Sequence, residues 1–189
     1  EQPAAEPVRP APPEERPPAP TPRAAPPPVA AKRSVSERVA AGDWAGAVAE
    51  AERAPLSRLL AHGSADELTA LADAARYVKD PALARRALEA TRKRFHGQRA
   101  AEAAFALGRL AEDVDHDERA AARWFERYRR EAPQGRFVPE SLGRQMVALE
   151  RAGDTAAARA LAREYLDRFP SGTYASVAAR LAGETPRTR

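Results

Sequence analysis

Three carboxylates with the spacing of a calcium loop stand in the middle of this 189-residue chain. Asp113, Asp115 and Asp117 match the first three ligand positions of an EF-hand loop. The match ends there, because the sixth position is Glu118 instead of Gly and the twelfth is Trp124 instead of Glu. We therefore predict no metal site, with Asp117 capping a helix and the other two carboxylates in a solvated turn.

The histidines offer no second kind of chemistry. His62, His96 and His116 are far apart in sequence, and none has a partner at a metal-binding or catalytic spacing. The sequence also lacks a glycine-rich phosphate loop and a nucleophile beside a base. These observations predict a protein that is not an enzyme and that uses no cofactor and no metal.

Arginine and aromatic residues alternate in RAAARWFERYRREAPQGRF, which could in principle stack on bases and contact phosphates. Helical spacing instead places Phe125 and Tyr128 on a packed face. The same spacing places Arg123, Arg127 and Arg130 on the solvated face. The net charge is only +4, and arginine and glutamate are interspersed along the chain. We therefore predict that the partner is not a nucleic acid.

Composition divides the chain into a proline-rich front and a helical remainder. Twelve of the eighteen prolines lie between Pro3 and Pro28, where large apolar residues are nearly absent. Residues 1–33 are therefore predicted to be a disordered proline-rich linker, with a ligand for an SH3-like or WW-like groove as the alternative. Residues 184–189 are predicted to be a disordered tail. Because the chain has no Cys, a disulfide framework is excluded.

A repeat of 37 residues organises the remainder. Two series recur at this step, an acidic one and a small apolar one: Asp43, Asp80, Asp117 and Asp154, and Ala47, Ala84, Ala121 and Ala158. Each Asp follows a short turn and is predicted to cap the helix after it. Each Ala is predicted to lie where two helices approach closely.

Helical periodicity between these marks predicts four helical hairpins. The expected pairs are 34–41 with 44–53, 65–78 with 81–95, 99–113 with 118–131, and 139–151 with 155–168. Pro55 is expected to end the second helix of the first pair early. A single helix over 173–182 is expected to cover the last apolar face.

This pattern resembles tetratricopeptide repeats over Ser34 to about Gly183. GDWAGAVAEAERAP and AGDTAAARALAREYLDRFP are similar to the second helix of such a repeat, and Leu107 and Gly108 match the Leu-Gly pair of its first helix. The period is 37 rather than 34 residues, and the endings APQGRFVPESL and FPSGTYASVAARL resemble the longer repeats of BamD-type and CpoB-type envelope proteins. The resemblance implies an all-α fold, a right-handed α-solenoid over 34–183.

The resemblance also implies a function. Repeats of this type bind a protein or peptide on a concave face lined by their first helices. The matching positions are Arg76, Tyr77, Phe105, Arg109, Glu112 and Arg144. The recurrence of arginine predicts an acidic or C-terminal carboxylate ligand.

The cellular context is implied in the same way. The longer repeats point to a periplasmic or envelope protein of a bacterium, anchored in the membrane through a segment upstream of Glu1. As an alternative, a proline-rich spacer before such repeats is similar to the extracytoplasmic sensor or tether region of FecR-like and anti-sigma regulators.

Overall fold

The computed structural model describes residues 33–53 and 55–183, and within them the chain is all-helical. Ten α-helices and one π-helical turn follow one another: α1 Val35–Ala40, α2 Trp44–Arg53, α3 Leu56–His62, α4 Ala65–Tyr77, α5 Pro81–Arg94, α6 Gly97–Leu110, the π-helical turn Ala111–Asp115, α7 Glu118–Glu131, α8 Val138–Arg151, α9 Thr155–Arg168 and α10 Ala175–Ala182. The predicted linker, except Arg33, and the predicted tail lie outside the described residues.

The helices pack as a sequential array. From α5 to α10, each helix packs mainly on the helix before it and the helix after it. At the start of the array, α1 and α2 pack on each other and both pack on α4. Neighbour-on-neighbour packing is the defining feature of a solenoid-like repeat, so the predicted all-α fold class is confirmed.

The recurrent aspartates cap the second helix of every pair. The carboxylate of Asp80 accepts a hydrogen bond from the N–H of Leu83, and Asp43, Asp117 and Asp154 do the same three residues ahead. These caps satisfy backbone donors that a helix start leaves unpaired. The predicted role of the aspartate series is therefore confirmed.

A left-handed residue precedes each of these caps. The four positions are again 37 residues apart: Gly42 at φ +74°, Lys79 at +64°, His116 at +53° and Gly153 at +85°. A left-handed residue closes a helix and turns the chain into the next one. Glycine adopts this conformation freely, whereas a side chain makes it unfavourable, so two of the four turns are strained.

The recurrent alanines lie at the centre of the packing. Ala47, Ala84, Ala121 and Ala158 are each fully buried. Three apolar clusters follow one another along the array, and they are joined because Trp124 packs on the first two and Phe169 on the last two. The core is therefore one continuous band.

Two local features differ from the prediction. The chain forms α3 directly after Pro55, where no helix was expected, because Leu56, Leu59 and Leu60 pack on the first core cluster. The helix predicted over 99–113 changes to π geometry at Ala111.

Hydrogen bonding shows how the π turn differs from its equivalents. The N–H of Asp80 bonds to the carbonyl of Ala75, five residues back, and Asp43 and Asp154 form the equivalent bond. The N–H of Asp117 instead reaches six residues back, to the carbonyl of Ala111 at 3.0 Å. The π-helical turn therefore contains one more residue between the bonded carbonyl and N–H than the other three turns do.

Among the described helices, none combines the length and the apolar character that crossing a membrane needs.

Candidate functional site

A groove lies between α4, α6 and the chain that enters α8. Its volume is about 210 Å³. Helix α4 contributes Asp73 and Arg76 to its wall, and α6 contributes Glu102 and Arg109. Because α4, α6 and α8 are the first helices of successive pairs, we call this surface the first-helix groove.

The groove continues toward the end of the array. Arg136 and Glu140 line it and also line a second cavity of about 720 Å³. That cavity is bounded by Arg144 on α8 and by the turn 169–174 before α10. The two cavities therefore form one elongated surface that three successive repeats share.

Four of the predicted binding residues line this surface, three arginines and Phe105. Arg76 and Arg109 line the narrow part, and Arg144 lines the wide part. Tyr77 is elsewhere: it does not line the groove, and its ring stacks on Trp44 at a centroid distance of 5.0 Å. The arginines predicted from the repeat therefore share a face, whereas the tyrosine belongs to another part of the surface.

Phe105 differs from the expectation of an open binding residue. It is only 5% exposed, and its ring lies 4.5 Å from that of Phe137 in a nearly parallel stack. The guanidinium of Arg136 in turn lies 4.4 Å from the centroid of the Phe137 ring. Phe105 is thus the base of a three-layer stack that carries Arg136 into the groove.

Three of the groove arginines pair loosely with carboxylates. Arg76 is 3.6 Å from Asp73, and Arg136 is 3.5 Å from Glu102. Arg109 is also 3.5 Å from its partner, an aspartate in the π-helical turn. Exposed pairs of this kind contribute between about 0 and 1 kcal/mol each. A ligand carboxylate can therefore replace the resident one at little cost.

Arg144 and Glu112 behave differently, because they are the most buried pair of the set. Arg144 donates to Glu112 at 2.6 Å and to Glu140 at 2.9 Å. Burial lowers the pKa of Arg144, but the hydrogen bonds that it donates to Glu112 and Glu140 outweigh this effect and hold that pKa above its ordinary value. Glu112 also receives Arg151 at 3.7 Å. This network joins the π-helical turn to α8, so Arg144 and Glu112 have a structural role in the fold.

Two groove arginines were not among the predicted residues. Arg99 and Arg136 are exposed and line the narrow part, with Arg99 paired to Asp66 at 2.6 Å. They are 37 residues apart, so the spacing that located the aspartate caps could also have located these two arginines. Sequence reasoning missed them because it placed binding residues inside the first helices rather than at their starts.

The carboxylates with calcium-loop spacing are directed to separate partners. Asp113 faces Arg109, Asp115 takes two hydrogen bonds from Arg85, and Asp117 caps α7. No group of three or more metal-ligating side chains is found in the described part of the chain.

The arginine and aromatic stretch follows the predicted division, with Phe125 and Tyr128 buried and the three arginines Arg123, Arg127 and Arg130 exposed.

No protein-family model and no curated protein matches this chain.

Proposed function

We propose that this chain is a non-catalytic interaction module that binds a protein or peptide partner in the first-helix groove. The observation that carries the proposal is the continuity of the groove across three repeats, because Arg136 and Glu140 belong to both of its cavities. An extended segment of a partner can contact successive repeats along such a surface. The resemblance of the repeat endings to tetratricopeptide-like envelope proteins supports a place in the bacterial cell envelope.

The charges of the groove support an acidic partner. Five arginines line its two parts, against three carboxylates: Arg76, Arg99, Arg109, Arg136 and Arg144, against Asp73, Glu102 and Glu140. The surplus of positive charge attracts carboxylates, and the loose pairs of Arg76, Arg109 and Arg136 leave their guanidinium N–H groups able to rearrange. The Phe137 ring beneath Arg136 supplies an apolar floor beside that charge.

Reversing two groove charges tests this proposal. We expect Arg99→Glu/Arg136→Glu to lose the proteins that wild type captures from a bacterial envelope extract, or to bind them about tenfold more weakly. Both side chains are exposed, so the fold should remain intact. Arg144 is unsuitable for this test, since its removal would leave Glu112 buried without its nearest partner.

Arg86→Glu/Arg163→Glu is the matched control, because these exposed arginines lie on second helices outside the groove. It should capture the same proteins as wild type. Unchanged capture by the groove variant would contradict the proposal. Capture of nucleic acid that disappears as salt is raised would replace the protein partner with a different class.

A further inference from the structure

Exposed apolar side chains gather at one edge of the array, on two adjacent turns. Tyr77, Val78 and Val114 are 68%, 37% and 45% exposed, and they are the large apolar residues that stand out in this way among the described positions. Tyr77 and Val114 are 37 residues apart and so occupy the same place in successive repeats. We call the surface around them the turn edge.

A cavity of about 380 Å³ opens at the turn edge between the two repeats. Its apolar part is formed by Pro81 at the start of α5, Leu110 at the end of α6 and Val114 in the π-helical turn. Pro81 is 37 residues after Trp44, on which Tyr77 stacks. The apolar strip therefore crosses two repeats in equivalent positions.

The third repeat shows that the fold does not need this strip. The positions equivalent to Tyr77 and Trp44 are there Arg151 and Glu118, which form an ion pair at 3.5 Å. An ion pair therefore occupies the place in this repeat where the stack of Trp44 and Tyr77 joins two helices at the start of the array. The exposed apolar surface is thus a property of these two turns and not of the repeat.

The cavity carries a surplus of positive charge. Three cations and one anion line it: Arg76, Lys79, Arg109 and Asp113. The partners of Arg76 and Arg109 lie 3.6 and 3.5 Å away. Within residues 33–53 and 55–183, no carboxylate lies within ion-pair distance of Lys79. An apolar cavity with a cationic rim suits a ligand that carries an apolar side chain beside carboxylates.

The backbone at Lys79 adds an independent observation. Its φ of +64° is left-handed, and glycine occupies the equivalent position at Gly42 and Gly153. Glycine would relieve the strain of this turn, yet lysine stands there and places a cation on the rim of the cavity. Residues held in such backbone conformations cluster at functional sites.

We propose that the turn edge binds an acidic, apolar segment of a protein partner. An aliphatic or aromatic side chain of that segment enters the cavity between Pro81 and Val114, and its carboxylates meet Lys79, Arg76 and Arg109. This surface shares Arg76 and Arg109 with the first-helix groove, but Lys79, Pro81 and Val114 line only the turn edge. Variants at Lys79 on one surface, and at Arg99 and Arg136 on the other, therefore test the two proposals separately.

A fluorescent peptide of alternating glutamate and leucine, titrated with the full chain, tests this site. Lys79→Gly should weaken binding about tenfold, the loss expected for one charge-assisted contact. The same variant should raise the melting temperature, because it relieves the left-handed backbone. Weaker binding by a more stable protein separates a ligand contact from a structural role. Lys79→Arg should restore most of the affinity.

His116→Gly is the matched control. It relieves the same strain at the equivalent turn, but His116 does not line the cavity. We expect a higher melting temperature and unchanged peptide affinity. Val114→Asp, which places a negative charge on the apolar wall, should lose binding as Lys79→Gly does.

Several results would overturn the proposal. They are no detectable binding of the glutamate–leucine peptide, equal affinity in wild type and Lys79→Gly, and equal binding of a lysine–leucine peptide. Lys79-dependent binding to vesicles of phosphatidylcholine and phosphatidylserine, without binding of the acidic peptide, would assign this edge to a membrane surface instead. Unchanged peptide affinity in Arg99→Glu/Arg136→Glu would support a site distinct from the groove.

Discussion

The hydroxyl of Tyr128 accepts a hydrogen bond from the backbone N–H of Phe137 at 2.9 Å. This bond spans the turn that joins the third helical pair to the fourth. The next repeat contains the same bond, from the N–H of Tyr174 to the hydroxyl of Tyr165 at 3.2 Å. A buried tyrosine on the second helix thus fixes the place where the next repeat begins, and with it the position of Arg136 in the groove.

A glycine makes room for each of these bonds. Gly135 and Gly172 lie against the hydroxyls of Tyr128 and Tyr165, so closely that a Cβ on either glycine would overlap the oxygen. The turn sequences PQGRF and PSGTY are therefore explained by the tyrosine that comes before them. The glycine is needed here for space, since neither residue has a left-handed backbone.

Removing the Tyr128 hydroxyl should destabilise the array. Tyr128→Phe keeps the buried ring but leaves the N–H of Phe137 without its partner, which should cost about 1–2 kcal/mol in the free energy of unfolding. Urea denaturation measures the difference. Tyr77→Phe is the control, because Tyr77 is exposed and the stacked ring is kept, and it should change stability by less than about 0.5 kcal/mol. Equal losses in the two variants would contradict the role of this hydrogen bond.

A substitution at Gly135 should depend on the same hydroxyl. Gly135→Ala should cost about 1–3 kcal/mol, because the new methyl group overlaps the oxygen of Tyr128. In the Tyr128→Phe background that oxygen is absent, so the alanine should be tolerated better. A double-mutant cycle on unfolding free energies measures this coupling. Strictly additive losses would show that the turn and the tyrosine act independently.

The repeat period predicted most of the fold because each recurrent residue has a local effect on the helix that contains or follows it. A capping carboxylate such as Asp154 or a small residue such as Ala121 has the same effect wherever it recurs, so spacing alone located them. Helix α3 escaped prediction because Leu56, Leu59 and Leu60 are short of a full amphipathic stripe and become helical only against the first core cluster.

The candidate site was less predictable, because it depends on which side chains meet across helices. The resemblance to tetratricopeptide repeats assigned Phe105 to the binding face, but the stack with Phe137 makes it a support beneath Arg136. The pairing of Arg144 with Glu112 spans 32 residues, and the sequence contains no local sign of it. Applying the period to Gly42 and Gly153 would have revealed Lys79 and His116 as side chains in left-handed turns.

Introducing a charge at a recurrent alanine should be severely destabilising. Ala121 has no exposed surface, so Ala121→Arg must bury a cation or separate the helices, at a cost of about 3 kcal/mol or more. Arg119→Ala, two residues away on the exposed face of α7, should cost less than about 0.5 kcal/mol. Thermal unfolding followed by circular dichroism measures both variants, and equal melting temperatures would contradict the assigned phase of the repeat.

Acid should weaken the link between α5 and α7 at Glu131. Arg92 holds this carboxylate with two hydrogen bonds at 2.8 and 2.9 Å, and Arg127 adds a third at 2.8 Å. The hydrogen bonds from Arg92 lower the pKa of Glu131 from 4.5 to about 2, against the opposing effect of burial and with further help from Arg127. A pKa lowered by folding means that the unfolded chain binds the proton more readily, so protonation favours unfolding.

The sign of this linkage sets the pH window of the last prediction. The contribution of Glu131 is fully present above pH 4.5 and is lost as the pH falls toward about 2. Glu131→Gln should therefore lower the free energy of unfolding by about 1 kcal/mol at neutral pH, and its deficit should disappear near the lower limit of the window. Urea denaturation across that range measures the two curves. Glu89→Gln, at an exposed carboxylate on α5, should instead follow the wild-type curve at every pH. A deficit of constant size for Glu131→Gln would show that the glutamine disturbs packing and that the ion pair contributes nothing.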